Sequence, residues 1–146
     1  MEEKSLIPTF PMPMRGLLLL TGMYTFAWSA FFRYFGSDLM RWLSMSGPDA
    51  VFNPDISMGM VGMGVGFLIF VSAFYPISWN VLILIGIIGK LTLAAWFVIV
   101  FIPELSWNKR SIFHLVFNEL MWLIPLGIIY LRSLQVKKYL KTQLHN

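Results

Sequence analysis

The sequence predicts an all-α integral membrane protein, a four-helix bundle with a short interfacial helix in its first loop. Three observations carry that expectation. Residues 16–32, 58–76, 81–102 and 111–131 form apolar runs, each near or above the ~20 residues needed to cross ~30 Å of hydrocarbon. Hydrophobic residues make up 58% of the chain and charged residues 12%, against roughly 25% charged in an ordinary soluble domain. The only Asp, Glu, Lys or Arg inside those runs are Lys90 and Glu119. The 146 residues leave room for a single transmembrane domain, 1–146, with a basic tail at 132–146. Any chemistry is then expected in or beside the membrane. The lack of cysteine excludes disulfides, thiol nucleophiles and thiolate metal sites.

Taken in order, Pro8, Pro11 and Pro13 predict an extended lead-in that runs to Arg15, because proline denies a helix its hydrogen bonds. The first run contains Ala27-Trp28-Ser29, a loose match to a signal cleavage site. With Glu2 and Glu3 set against Lys4, the leader lacks a strongly positive segment, so a retained helix is expected. In the connection 34–57, Ser37 and Asp38 are placed to cap a short helix through Met45 that offers Leu39, Trp42 and Leu43 to the interface. Pro48-Asp49 marks a turn, and Asn53 followed by Pro54 is a start signal for the second span. Two readings of this loop compete: a lid over a cavity, or a connector held by Trp42.

The second run carries Gly59, Gly62, Gly64 and Gly66. Lipid gives helices no hydrophobic drive to associate, so a smooth glycine face lets backbones approach and gain dispersion contacts. Gly62 and Gly66 therefore serve packing within the bundle or a homodimer. Gly86 and Gly89 repeat the device beside Lys90, and the Gly-Lys string lacks the strand-to-helix turn of a phosphate loop. An even number of spans puts both termini on one side. That side holds six cations (Lys4, Arg15, Arg132, Lys137, Lys138, Lys141), against four on the other (Arg33, Arg41, Lys109, Arg110), which predicts cytoplasmic termini in a bacterial inner membrane. Val136, Leu140 and Leu144 recur at helical spacing, so the tail suits an anionic leaflet or simple solvation. Topology accounts for the net charge of +4 without nucleic acid.

Lys90 and Glu119 are the candidate site. At ~1.5 Å per residue, Lys90 lies ~18 Å below the end of its span and Glu119 ~12 Å below the adjoining end of the next. A lysine covers the ~6 Å offset in an antiparallel hairpin. Each charge alone would cost several kcal/mol in lipid, so pairing, a polar cavity or neutralisation is expected. Asn118 and His114 extend the cluster. Trp122 lies three residues past Glu119 on the same helix side, and Pro125 removes an amide donor beside it. The ligand-binding set expected from sequence is therefore Lys90, Asn118, Glu119 and Trp122, in a cleft suited to a lipophile with a polar head. The competing reading is structural pairing that fixes the hairpin register. No catalytic residue is assigned. With His145 in the tail, His114 is alone, which excludes a bis-histidine haem. The i, i+5 spacing of His114 and Glu119 places them on different sides of an α-helix, unlike a helical metal site.

Gly86-Ile87-Ile88-Gly89-Lys90, with Asn118-Glu119-Leu120-Met121-Trp122-Leu123-Ile124-Pro125 and the turn residues Pro76 and Trp79, resembles the paired signatures of a small bacterial four-span membrane family loosely grouped as DoxX-like. The resemblance covers about residues 15–131, with Leu123 and Leu126 where aromatic residues are expected. It implies association with redox or quinone-linked membrane systems, with a quinone or another lipophile, membrane lipids and a membrane protein as the partners to expect; no cofactor is assigned. Three functions remain: a noncatalytic membrane component that binds a lipophile or supports a larger membrane complex, a quinone-linked enzyme subunit, or a small transporter or channel with Lys90 and Glu119 in its path.

Overall fold

The computed structural model describes residues 8–54 and 56–145, and among these the regular structure is entirely helical. Five helices follow in order: α1 Met12–Tyr34, α2 Gly36–Ser44, α3 Ser57–Ser72, α4 Asn80–Leu105 and α5 Lys109–Leu144. Of these, α4 and α5 are long and apolar enough to cross a membrane, and α3 is a shorter apolar helix. The expected short helix of the first loop is α2, with Leu39, Met40 and Leu43 buried and Trp42 turned outward.

Several helix ends differ from the sequence expectation. Helix α1 starts at Met12 rather than after Arg15, with Pro11 as its N-cap and Pro13 in the first turn. There the missing amide hydrogen is one the helix would leave unpaired anyway. Ser37 and Asp38 fall inside the first turn of α2 and do not cap it; its N-cap is Phe35, without a side-chain bond. Helix α3 begins at Ser57 with Ile56 as N-cap, so Asn53 and Pro54 precede it. The tail is not a separate surface helix. It continues α5 without interruption to Leu144, and Lys137 Nζ donates to Oδ1 of the buried Asn80 at 3.1 Å, holding the tail against the start of α4. At the same end Arg132 Nε donates to the Thr9 carbonyl at 3.0 Å.

The antiparallel α1–α3 seam is a ladder of glycines. A side-chain carbon placed on Gly22 would lie 2.5 Å from the Phe70 nitrogen, on Gly66 2.5 Å from the Phe26 nitrogen, and on Gly59 2.8 Å from the Arg33 nitrogen. One on Gly62 would overlap the Ser29 hydroxyl. The Gly62/Gly66 face is thus covered by α1 of the same chain, which is the packing role; a homodimer through these two residues would have to displace α1. Gly86 and Gly89 do the same for α4, seating Ile69 and Val65 of α3.

At the other end, the turn from α4 to α5 is built by Asn108. Its side chain accepts from the Arg110 and Ser111 amides at 2.8 and 3.0 Å, and Ser111 Oγ accepts from the Asn108 amide at 2.9 Å. This reciprocal capping box satisfies amides that a helix start leaves unpaired. Asn108 Nδ2 also donates to the Leu43 carbonyl at 2.7 Å, and Arg110 Nη1 to the Trp42 carbonyl at 2.9 Å, which pins α2 onto the turn.

Candidate functional site

Both α4 and α5 contain a π-helical stretch, Phe97–Phe101 and His114–Leu120. A π-turn closes hydrogen bonds from i to i+5, so residues five apart come nearly in line along the helix. This overturns the expectation that His114 and Glu119 lie on different sides. His114, Asn118 and Glu119 all turn inward and are 1%, 1% and 4% exposed. Phe97, from the π-helical stretch of α4, packs on the imidazole with centroids 4.3 Å apart.

The structure brings Lys90 and Glu119 together: Nζ lies 3.2 Å from Oε2, and Lys90 is 1% exposed. Lys90 also donates to the Asn118 carbonyl. A π-helix disturbs the usual i→i+4 ladder, and here an ammonium takes up one of its carbonyls. Asn118 is the hub of the cluster. Its Oδ1 accepts from the Tyr24 hydroxyl, and its Nδ2 meets His114 Nδ1 at 3.2 Å. Trp28 Nε1 donates to the same His114 Nδ1 at 3.1 Å. An indole nitrogen is only a donor, so in the neutral imidazole Nδ1 is the bare acceptor and Nε2 carries the hydrogen.

Trp122 joins through Tyr24, its ring 5.2 Å away, and its own buried Nε1 finds no hydrogen-bond partner among the described residues. Of the sequence-expected set, then, Lys90, Asn118 and Glu119 form one sealed cluster, while Trp122 lies behind Tyr24. A ligand can touch Lys90 or Asn118 only if the bundle opens. Sequence reading missed Tyr24 and Trp28, the α1 side chains that close the cluster. Four-residue spacing on one apolar helix was the available signal, and aromatic residues are too common in this chain for it to stand out.

On its outer side the same pair lines open hollows. Tyr24, Ala27, Trp28 and Phe31 border one of about 290 Å³, and Trp28 and Phe31 continue into another of about 450 Å³ with Asp38, Leu39, Trp42 and Phe113. An aromatic groove thus runs along α1 toward α2, and its Tyr24 and Trp28 are hydrogen-bonded to the buried cluster beneath. No three His, Asp or Glu side chains gather closely enough to hold a metal ion among the described residues. Comparison with known proteins finds no match to this chain among family models, curated proteins or solved structures.

Proposed function

We propose that the chain is a noncatalytic membrane component in which α1, α3, α4 and α5 span the bilayer, and that it binds a lipophilic molecule in the aromatic groove along α1. The spanning reading is supported by an inside-out distribution of polarity. Lys90, Glu119, Asn118 and His114 are buried, while Leu20, Phe67, Ile88, Ile99, Ile124 and Leu131 face outward. Water would penalise such a surface, whereas lipid favours it. Helix α3, at ~24 Å, is short for the hydrocarbon thickness, a mismatch that local thinning and its neighbours accommodate.

The observation that carries the binding reading is the groove itself. Its size falls in the range of small-molecule sites, its walls are aromatic, and hydrogen bonds to the interior fix two of its residues in place. An apolar tail fits the walls, and a polar head meets Asp38 and Trp42 near the α2 end. The quinone expected from the DoxX-like resemblance is one candidate occupant, and a membrane lipid is another.

Gentle solubilisation followed by native mass spectrometry tests this. A co-purifying lipophile is expected with the wild type and reduced at least several-fold in Phe31→Ala and Trp28→Leu. Equal retention in both variants would move the ligand elsewhere, and an empty wild type would leave the scaffold role alone. Topology has its own test in a thiol-free chain. With both termini cytoplasmic, a cysteine at Ser46 labels in intact cells with an impermeant reagent and one at Thr142 does not; the reverse pattern inverts the orientation.

A further inference from the structure

Beneath Trp28 lies a second, much smaller space, lined by Trp28, Ser29, Phe32, Met58, Gly59, Leu93, His114 and Glu119, with about 10 Å³ of room for the centre of a water-sized sphere. That is near the minimum for one water and too little for anything larger. Two of its lining residues bring buried polar atoms: His114 Nε2, with no hydrogen-bond partner among the described residues, and Glu119 Oε2, beside the Lys90 ammonium. We propose that this cavity is a binding site for one water molecule, which accepts from His114 Nε2–H and donates to Glu119 Oε2.

The chemistry of the two atoms selects the occupant. Because Nδ1 receives the Trp28 and Asn118 donors, Nε2 presents a hydrogen and needs an acceptor. Glu119 Oε2 has Lys90 Nζ 3.2 Å away, and a carboxylate oxygen accepts more than one donor, so it has room for a second. Water supplies both from a single oxygen. A cation of the same size would face the Nε2–H and the nearby ammonium, and an anion would face the carboxylate. An unpaired buried donor costs about 1–3 kcal/mol, which the bridge removes at His114 Nε2 while giving Glu119 a second donor.

The bridge completes a continuous chain from Lys90 through Glu119, water and His114 to Trp28 at the wall of the groove. It does not conduct protons onward, since the far side of the imidazole meets only an indole and an amide, neither of which releases a proton readily. The water therefore fixes the ring and, through it, Trp28.

Magnetic resonance of the full chain in nanodiscs, labelled with 15N-histidine, tests this directly. The sequence has two histidines, and His145→Gln assigns the other signal to His114. The expected result is a neutral ring with hydrogen on Nε2, bare Nδ1 and a magnetisation-transfer peak between Nε2–H and water. Leu93→Phe, which enlarges a lining side chain, should abolish that peak while keeping the hydrogen on Nε2. A hydrogen on Nδ1, a doubly protonated ring, or Nε2–H without a water peak in the wild type overturns the proposal. So does a water peak of unchanged strength in Leu93→Phe.

Discussion

The two long seams of this bundle are built on opposite principles. Along α1 and α3, glycines let backbone meet side chain and backbone directly, and the contact is one of close approach. Between α4 and α5 the partners are an ammonium, a carboxylate, an amide and an imidazole; the last three come from the stretch where α5 loosens into π-turns, and the ammonium from the regular α-helical part of α4. The first seam holds by shape, and each rung fails separately. The second holds by mutual satisfaction of groups that lipid or a dry interior would reject one at a time, so its members fail together. Steric and electrostatic seams should therefore answer substitution differently; three outcomes probe that difference, and a fourth, outside both seams, gives a reference.

The largest effects belong to the polar seam. Lys90→Met or Glu119→Gln alone leaves an uncompensated buried partner, and a loss of about 3–5 kcal/mol is expected in detergent unfolding. A loss below about 1 kcal/mol would mean that the pair is solvated rather than sealed.

Next comes the glycine ladder. Gly66→Ala forces a carbon against the Phe26 backbone and should cost about 1–3 kcal/mol, because backbone cannot step aside as a flexible side chain can. Gly64→Ala, with nothing within 4 Å of the added carbon, should be neutral or stabilising by up to about 1 kcal/mol. Equal effects at the two positions would dissolve the steric account of this seam.

Smaller again is Trp28→Phe, which keeps an aromatic wall and removes the indole donor to His114. About 1 kcal/mol is expected, since Asn118 still serves Nδ1. A stability identical to wild type would separate the groove from the cluster. The smallest change lies outside both seams. Ser106 adopts φ 62° and ψ 161°, a region that only glycine enters freely, and its side chain is exposed. Ser106→Gly should raise stability by about 0.5 kcal/mol, the relieved strain slightly exceeding the added chain entropy. A destabilised variant would mean that the serine contributes a contact stronger than the strain.

What the sequence could convey follows the same division. Depth along a helix is arithmetic, so the closeness of Lys90 and Glu119 was legible from residue counts alone, as was the packing use of Gly62 and Gly66. Direction around a helix was not. One π-turn at 114–120 changes which residues share a face, and nothing in His-Leu-Val-Phe-Asn-Glu-Leu announces it. That is why His114 and Glu119 were expected on different sides; Tyr24 and Trp28 went unnoticed because aromatic residues are common throughout the chain. The end at Pro13 was misjudged because a proline in the first turn gives up an amide the helix would leave unpaired anyway, and the end at Asn53 for a reason closer to that of the π-turn. Local capping preferences are worth about 1 kcal/mol and yield to tertiary contacts, here the Gly36 approach to Pro54 and the Gly59 approach to Arg33.

The central claim is that Lys90 and Glu119 act as one unit inside the bundle, and a double-mutant cycle of Lys90→Met with Glu119→Gln, read by unfolding in mixed detergent micelles, tests it most directly. The double variant should lose clearly less stability than the sum of the two singles, with a coupling of about 2 kcal/mol or more, because removing both charges strands neither. Additive losses, within about 0.5 kcal/mol, would contradict it and return each charge to a separate, solvated environment.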